Sequence, residues 1–208
     1  MKKAIIWDLD GTLFDSYGVI VESIFLTFQE NGIPMSLDEI HRHAINFSIK
    51  SLFAGIAGEW DVSAEELHSR YSRISSGKYL QIKPMQNALE TLRTLTERGI
   101  EHYVFTHRGK TTIPVLENLG MTGFFKEILT SQSGFARKPD PEGILHLLEK
   151  HDLDPKHTCY VGDRRIDMLC ARNAGISGIL FLPEGSIDVS GGAETGIIRD
   201  LQEILNII

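Results

Sequence analysis

Two aspartates near the start of the chain, Asp8 and Asp10, have the type and spacing for chemistry on phosphate. They follow the apolar run Ala4 to Trp7, which predicts a short buried strand. Residues two apart in an extended chain point to the same side, so the two carboxylates would converge on one small volume. Like charges at that distance repel, and the site therefore needs a nearby cation or a shared proton. An acidic turn after a buried strand is the alternative interpretation of this short pattern.

The segments after residue 82 alternate between strand-like apolar runs and helical patterns. This alternation predicts a Rossmann-like α/β core, a parallel sheet with right-handed crossovers and helices on both faces. We expect its first helix to run from Pro84 to Arg98, and a surface loop to run from Glu184 to Gly196. Ligands of such sheets bind beyond the carboxyl ends of the strands. The polar candidates at that edge are Asp8, Asp10, Thr106, Asp163 and, on a loop, Lys138.

The stretch of residues 16–82 has helical patterns throughout. Ser36 followed by Glu39 has the spacing of a capping box, and it begins one of four predicted helices. We therefore predict two domains. Residues 1–15 and 83–208 would form the α/β core, and residues 16–82 an inserted α-helical bundle.

The net charge, the N-terminal segment and the cysteines indicate which partners and which cellular compartment to expect. The chain has 208 residues and a net charge of −7, which argues against a nucleic acid or an anionic membrane as partner. The basic start, Met1 to Lys3, is followed by only four apolar residues, too few for a signal peptide or a membrane span. Cys159 and Cys170 fall in predicted core elements and are interpreted as buried thiols. We expect a cytoplasmic protein.

Four separate segments carry a resemblance to a known family. The string D-L-D-G-T-L-F-D of residues 8–15, directly after an apolar strand, resembles motif one of the haloacid dehalogenase-like superfamily of hydrolases. Thr106 matches motif two, and Lys138 in R-K-P-D-P-E matches motif three. The string G-D-R-R-I-D of residues 162–167 matches motif four. The chain is identified as a member by this resemblance, and its small helical insertion is similar to that of phosphoglycolate phosphatases.

The resemblance implies a reaction in two steps on a phosphomonoester. Asp8, ionised at neutral pH, would attack phosphorus and form an aspartyl phosphate. A Mg²⁺ would be held by the Asp8 carboxylate, the Asp10 backbone carbonyl and the Asp163 carboxylate. The Asp10 side chain would protonate the leaving group and then deprotonate the water that hydrolyses the intermediate.

Further roles follow from the same resemblance. Thr106 and Lys138 would hold the transferring phosphoryl oxygens, and Asp167 would orient Lys138 or a metal-bound water. The chain departs from many relatives at His107, where asparagine is usual. His107 would either hydrogen-bond phosphate or the leaving group, or pack against the sheet edge.

The helical insertion matches the position and character of the family's α-helical cap, which excludes water and supplies specificity contacts. Lys50 in this insertion is a candidate substrate contact, with a solvated surface lysine as the alternative. His41 and His43 are too closely spaced for one helix face, and we place them on the surface rather than at a metal.

The leading hypothesis is thus a Mg²⁺-dependent phosphatase acting on a small molecule, such as a phosphoglycolate-like compound, a sugar phosphate or a nucleotide. Two alternatives stay open, a sugar-phosphate mutase of the same fold and a binding or regulatory module without catalysis. Thr12 stands where such mutases commonly have valine, and the full set of acids and lysine argues against the non-catalytic module. The natural substrate and the oligomeric state are left open.

Overall fold

The computed structural model describes residues 3–208, so Met1 and Lys2 of the basic start lie outside the described residues. These residues form two compact units, one of residues 3–15 with 83–208 and one of Ser16–Ile82. No helix in the described part of the chain is both long and apolar enough to cross a membrane.

The strands of the first unit are short and mostly buried. In chain order they are β1 (Ala4–Trp7), β2 (Phe14–Asp15), β3 (Lys83–Pro84), β4 (Glu101–Phe105), β5 (Phe125–Leu129), β6 (Thr158–Gly162), β7 (Ser177–Phe181) and β8 (Gly196–Ile198). Six of them form one sheet in the order β5-β4-β1-β6-β7-β8, and every neighbouring pair is parallel. The predicted parallel α/β sheet is confirmed. β1 lies between β4 and β6, so the residue after its end faces the middle of the carboxyl edge.

The helices lie between these strands in the chain. They are α1 (Tyr17–Gln29), α2 (Leu37–Asn46), α3 (Ile49–Glu59), α4 (Ala64–Ser76), α5 (Ala88–Glu97), α6 (Thr112–Asn118), α7 (Glu142–Lys150) and α8 (Arg165–Asn173). The last element, Leu201–Asn206, is a 3-10 helix.

Two segments differ from the sequence prediction. The predicted helix from Pro84 begins only at Ala88, because Lys83–Pro84 pairs with β2 as a two-residue antiparallel ribbon. The fixed φ angle of proline suits that extended conformation, and proline donates no backbone hydrogen bond. The predicted loop ends earlier than expected, since Gly196 already belongs to β8 at the edge of the sheet.

The second unit, Ser16–Ile82, contains α1 to α4 packed around their own apolar core. Its most buried side chains include Ile24, Phe28, Ile40, Phe53 and Leu67. The capping box of Ser36 and Glu39 is present, and both reciprocal hydrogen bonds form at the start of α2. Local sequence signals therefore set where this helix begins, and burial of the apolar faces holds the four helices together.

Candidate active site

The carboxyl end of β1 delivers Asp8 and Asp10 to one edge of the sheet. The Asp8 backbone N–H still donates to Val161 O of β6 at 2.8 Å, so Asp8 keeps its strand register. Gly11 follows with a φ of 78°, a conformation that favours glycine, and the chain turns sharply there. The Asp8 side chain is 1% exposed and the Asp10 side chain 23% exposed. The first aspartate is thus enclosed, and the second faces solvent in part.

Lys138 forms the centre of a buried polar cluster. Its Nζ lies 3.2 Å from Asp8 Oδ1, 2.6 Å from Asp167 Oδ1 and 2.8 Å from the Tyr160 hydroxyl. Three acceptors thus surround an ammonium group that has three N–H donors. We call Asp8, Lys138, Tyr160 and Asp167 the inner cluster.

Charge within the inner cluster fixes two protonation states. Burial alone would lower the pKa of Lys138, but the Asp167 and Asp8 carboxylates raise it above its ordinary value. Burial would raise the pKa of Asp8, but the Lys138 and Arg164 cations bring it below its ordinary value. At neutral pH Lys138 is therefore a cation and Asp8 an anion, as a nucleophilic carboxylate requires.

Asp167 is held from two sides, which explains the glycine of motif four. Its Oδ1 accepts from Lys138, and its Oδ2 accepts from the Arg164 backbone N–H at 3.0 Å at the start of α8. A Cβ atom built on Gly162 would lie only 2.6 Å from the Asp167 Cβ. Any larger residue at position 162 would displace Asp167 and, through it, Lys138.

Two carboxylates of the inner cluster and the nearby Asp163 have the donor set of a divalent cation. One carboxylate oxygen each from Asp8, Asp163 and Asp167 lies within 4.8 Å of the others. Both oxygens of Asp167 are already engaged, whereas Asp8 Oδ2 is buried without a hydrogen-bond partner among the described residues. Asp163 accepts from the Thr12 hydroxyl at 3.3 Å through Oδ1. Buried carboxylate oxygens with this arrangement fit a hard cation such as Mg²⁺.

The end of β4 brings Thr106 and His107 to the same edge. Thr106 is buried, and its hydroxyl oxygen accepts from the Arg108 backbone N–H at 3.2 Å, which leaves the hydroxyl hydrogen to donate. His107 Nε2 accepts from the Lys138 backbone N–H at 2.9 Å, so the proton of the neutral ring is on Nδ1. Burial, followed by the Lys138 and Arg137 cations, lowers the pKa of His107 to about 2. His107 therefore ties the Thr106 loop to the Lys138 loop, and its predicted contact with phosphate stays a prediction.

Two residues of the site were not singled out from the sequence. The Tyr160 hydroxyl accepts from Lys138 Nζ and donates to Phe105 O at 2.7 Å, although Tyr160 looks like a core residue of β6. Arg108 Nη1 lies 2.6 Å from Asp10 Oδ1. We call Asp10 and Arg108 the outer pair. The position of Arg108, two residues after Thr106 at a strand end, is the one signal that could have indicated it.

The remaining candidates lie in the helical unit. Lys50 is an exposed residue of α3, and its predicted contact with substrate is a prediction still. His43 Nε2 lies 3.5 Å from the Ser51 hydroxyl, and the His41 ring packs edge-on against Tyr17. Within the described residues, neither histidine belongs to a cluster that could hold a metal.

Comparisons with known proteins point to one family. A model of the haloacid dehalogenase-like hydrolase family matches residues 5–181. A phosphoglycolate phosphatase of Agrobacterium fabrum is 31% identical over 188 residues, which cover 86% of this chain and 80% of that protein.

Solved structures agree with this assignment. A haloacid dehalogenase-like hydrolase of Streptococcus pneumoniae has a TM-score of 0.83 at 25% identity, with 99% of this chain and 98% of that chain covered. A Thermotoga maritima protein described as a β-phosphoglucomutase has a TM-score of 0.78 at 21% identity, with 100% and 98% covered. At that identity the likeness shows the fold alone.

Proposed function

This chain belongs to the haloacid dehalogenase-like hydrolase family, and we propose that it is a phosphatase that hydrolyses small phosphomonoesters through a phosphorylated Asp8. The observation that carries the proposal is the environment of Asp8. Lys138 holds its Oδ1, while its Oδ2 has no hydrogen-bond partner among residues 3–208. The carboxylate is oriented through Oδ1, and Oδ2, which has Arg164 Nη2 at 3.9 Å, makes no hydrogen bond that would have to break when a ligand approaches.

The first step forms an oxygen–phosphorus bond and breaks the ester bond. A carboxylate oxygen of Asp8 attacks phosphorus, and the bond from phosphorus to the leaving oxygen breaks with its electron pair going to that oxygen. Asp10, which is partly exposed beside Asp8, supplies the proton that the leaving oxygen needs. Lys138 and the Thr106 hydroxyl are placed to neutralise and hold the phosphoryl oxygens.

The second step regenerates Asp8. A water attacks phosphorus, its proton passes to the Asp10 carboxylate, and the bond between phosphorus and the Asp8 oxygen breaks. Inorganic phosphate leaves, and both aspartates return to their starting states. The helical unit of residues 16–82 is proposed to act as the cap, with Lys50 as a candidate for specificity.

A divalent cation would be held by the carboxylates of Asp8 and Asp163 and by the Asp10 backbone carbonyl. When bound, it supplies positive charge that offsets the repulsion between a carboxylate and a phosphate dianion. We propose Mg²⁺, because the donors are hard oxygen atoms.

The test is phosphate release from a panel of phosphomonoesters by wild type and by Asp8→Asn, each with Mg²⁺ and with EDTA. The expected result is turnover by wild type that Asp8→Asn reduces by at least about 10⁴-fold and that EDTA abolishes. Turnover that survives in Asp8→Asn would contradict the mechanism. An isomeric phosphate instead of inorganic phosphate would identify a mutase, and no reaction with a folded protein would favour the non-catalytic module.

A further inference from the structure

The outer pair contains a cation that the proposed reaction does not use. The Arg108 side chain is 11% exposed, and its Nη1 lies 2.6 Å from Asp10 Oδ1. Its Nε is buried without a hydrogen-bond partner within residues 3–208. The guanidinium also lies over the Phe14 ring, 5.9 Å from the ring centre. Arg108 thus contacts the Phe14 ring and the Asp10 carboxylate, and its buried Nε has no acceptor among the described residues.

The position of Arg108 is fixed relative to the leaving group of the substrate. Asp10 can protonate the leaving oxygen only from hydrogen-bond distance, about 2.8 Å. Arg108 Nη1 is itself 2.6 Å from an oxygen of the same carboxylate. The guanidinium and the leaving oxygen therefore meet the same carboxylate, and the guanidinium is within reach of the group that the leaving oxygen carries.

The partner that Arg108 already holds indicates the chemistry that it accepts. A guanidinium presents a planar fork of donors that matches the two oxygens of a carboxylate. In the structure Asp10 satisfies one arm of this fork, and Nε remains. A carboxylate on the carbon next to the leaving oxygen would bring two more acceptors to this place. A neutral hydroxyl or sugar ring would offer the guanidinium no second anion, and it would therefore bind less tightly than a carboxylate.

We propose that Arg108 is a specificity-determining residue that binds a carboxylate of the leaving group. The preferred substrates are then phosphorylated hydroxy acids in which the carboxylate is on the carbon that bears the phosphate ester. This inference rests on the proposed function, since it assumes that the leaving oxygen meets Asp10. It narrows the substrate class from phosphomonoesters in general to those whose alcohol is an anion.

The experiment compares two small substrates that differ in that carboxylate, the monophosphates of glycolate and of ethylene glycol, and adds pyrophosphate. The proteins are full-length wild type, Arg108→Met, Arg108→Lys and the charge-matched control Arg93→Met, which changes an exposed residue of α5. For Arg108→Met we expect kcat/KM on phosphoglycolate to fall about 10- to 100-fold, the size of a lost charged hydrogen bond, mostly through KM. On the ethylene glycol ester the fall should be less than about threefold. Arg108→Lys should recover part of the loss, and Arg93→Met should match wild type on every substrate.

A binding measurement separates this inference from the proposed function. In the Asp8→Asn background, calorimetry gives the Kd of each ester with Arg108 intact, with Arg108→Met and with Arg93→Met. The proposal expects Arg108→Met alone to weaken phosphoglycolate binding, and the ethylene glycol ester to be unaffected. If wild type turns over no ester, the proposed function is wrong. The ratio of the Kd values for the two esters, with Arg108 intact and with Arg108→Met, still tests the role of Arg108.

Two results would overturn the proposal. Equal losses on both esters, in turnover and in binding, would show that Arg108 acts only on Asp10 or on the fold. A wild-type preference for pyrophosphate that Arg108→Met removes would show that Arg108 receives a second phosphate rather than a carboxylate.

Discussion

The inner cluster and the outer pair lie in one site but are built in different ways. Lys138 has a side chain with no exposed surface, and three oxygens from three separate segments surround its Nζ. The outer pair is held by one short ion pair between side chains that are both partly exposed. A buried, fully satisfied network keeps one geometry, whereas a single partly solvated contact can be exchanged.

This difference matches the two tasks of the proposed site, which are transfer of the phosphoryl group and recognition of the leaving group. Every substrate of a phosphatase brings the same phosphoryl group, so the groups that meet it can be fixed. The leaving group varies among substrates, and the residues beside it decide which one is accepted. Breaking the inner cluster should therefore reduce turnover of all substrates, and breaking the outer pair should change the ratio between them.

Among the changes that compare the two regions, Lys138→Met should have the largest effect. Two buried carboxylates, Asp8 and Asp167, lose their shared cation. We expect phosphate release to fall by at least about 10²-fold on every substrate, and the free energy of unfolding to fall by about 3–5 kcal/mol. Urea denaturation and phosphate release measure the two quantities.

The control for that change is Lys150→Met. Lys150 Nζ lies 3.0 Å from Glu127, but more than half of its side chain is exposed. An exposed ion pair contributes little, so stability should change by less than about 1 kcal/mol and activity should stay at the wild-type level. A loss of stability equal to that of Lys138→Met would show that the inner cluster is not the more strongly held region.

A smaller effect is expected for Tyr160→Phe, which removes one acceptor from Lys138 and one donor from Phe105 O. The remaining two carboxylates keep Lys138 charged but hold it less firmly. Turnover should fall about tenfold on all substrates alike, and stability by about 1–2 kcal/mol. Tyr103→Phe removes a hydroxyl that donates to Glu101 of the same strand, β4, and it should leave turnover unchanged. If Tyr160→Phe changed the ratio between substrates, the separation of the two regions would be wrong.

The last expected effect is confined to acidic pH, a slope of stability caused by His107, which contacts the Lys138 backbone. Its pKa is about 2 in the folded protein and about 6.5 in an unfolded chain. Between these pH values the unfolded state binds a proton that the folded state does not. Stability is therefore lost as pH falls, by up to about 1.4 kcal/mol per pH unit from this group.

The variant His107→Asn lacks this contribution. Its free energy of unfolding should fall less steeply than that of wild type between about pH 6 and pH 4, as measured by urea denaturation at each pH. Asn46, an exposed residue of α2 with no titratable group, gives the control, and Asn46→Gln should keep the wild-type slope. Parallel slopes for His107→Asn and wild type would mean that His107 is protonated in the folded protein.

Sequence patterns predicted the parts of the fold that repeat over several residues. An apolar run marked β1, and capping residues marked the start of α2, because these signals are local. The ribbon of Phe14–Asp15 with Lys83–Pro84 was not predicted, since a two-residue strand has no periodicity and pairs far along the chain.

The same limit applies to the site. Asp8, Lys138 and Asp167 were candidates because their residue types stand in recognisable strings, and the structure brings all three together. The contact between Arg108 and Asp10 joins residues 98 positions apart and has no such string. A side chain whose role depends on a distant partner becomes visible only when the fold places the two together.

Chemical trapping can show whether Asp8 carries the phosphoryl group during turnover. Wild type is mixed with a substrate and Mg²⁺, quenched in milliseconds and treated with borohydride, which reduces an aspartyl phosphate to homoserine. Mass spectrometry then reads the peptide that contains residue 8, with enzyme lacking substrate as the control. We expect reduction at residue 8 and at no other aspartate. Rapid phosphate release with an unmodified Asp8, or with another residue modified, would contradict it.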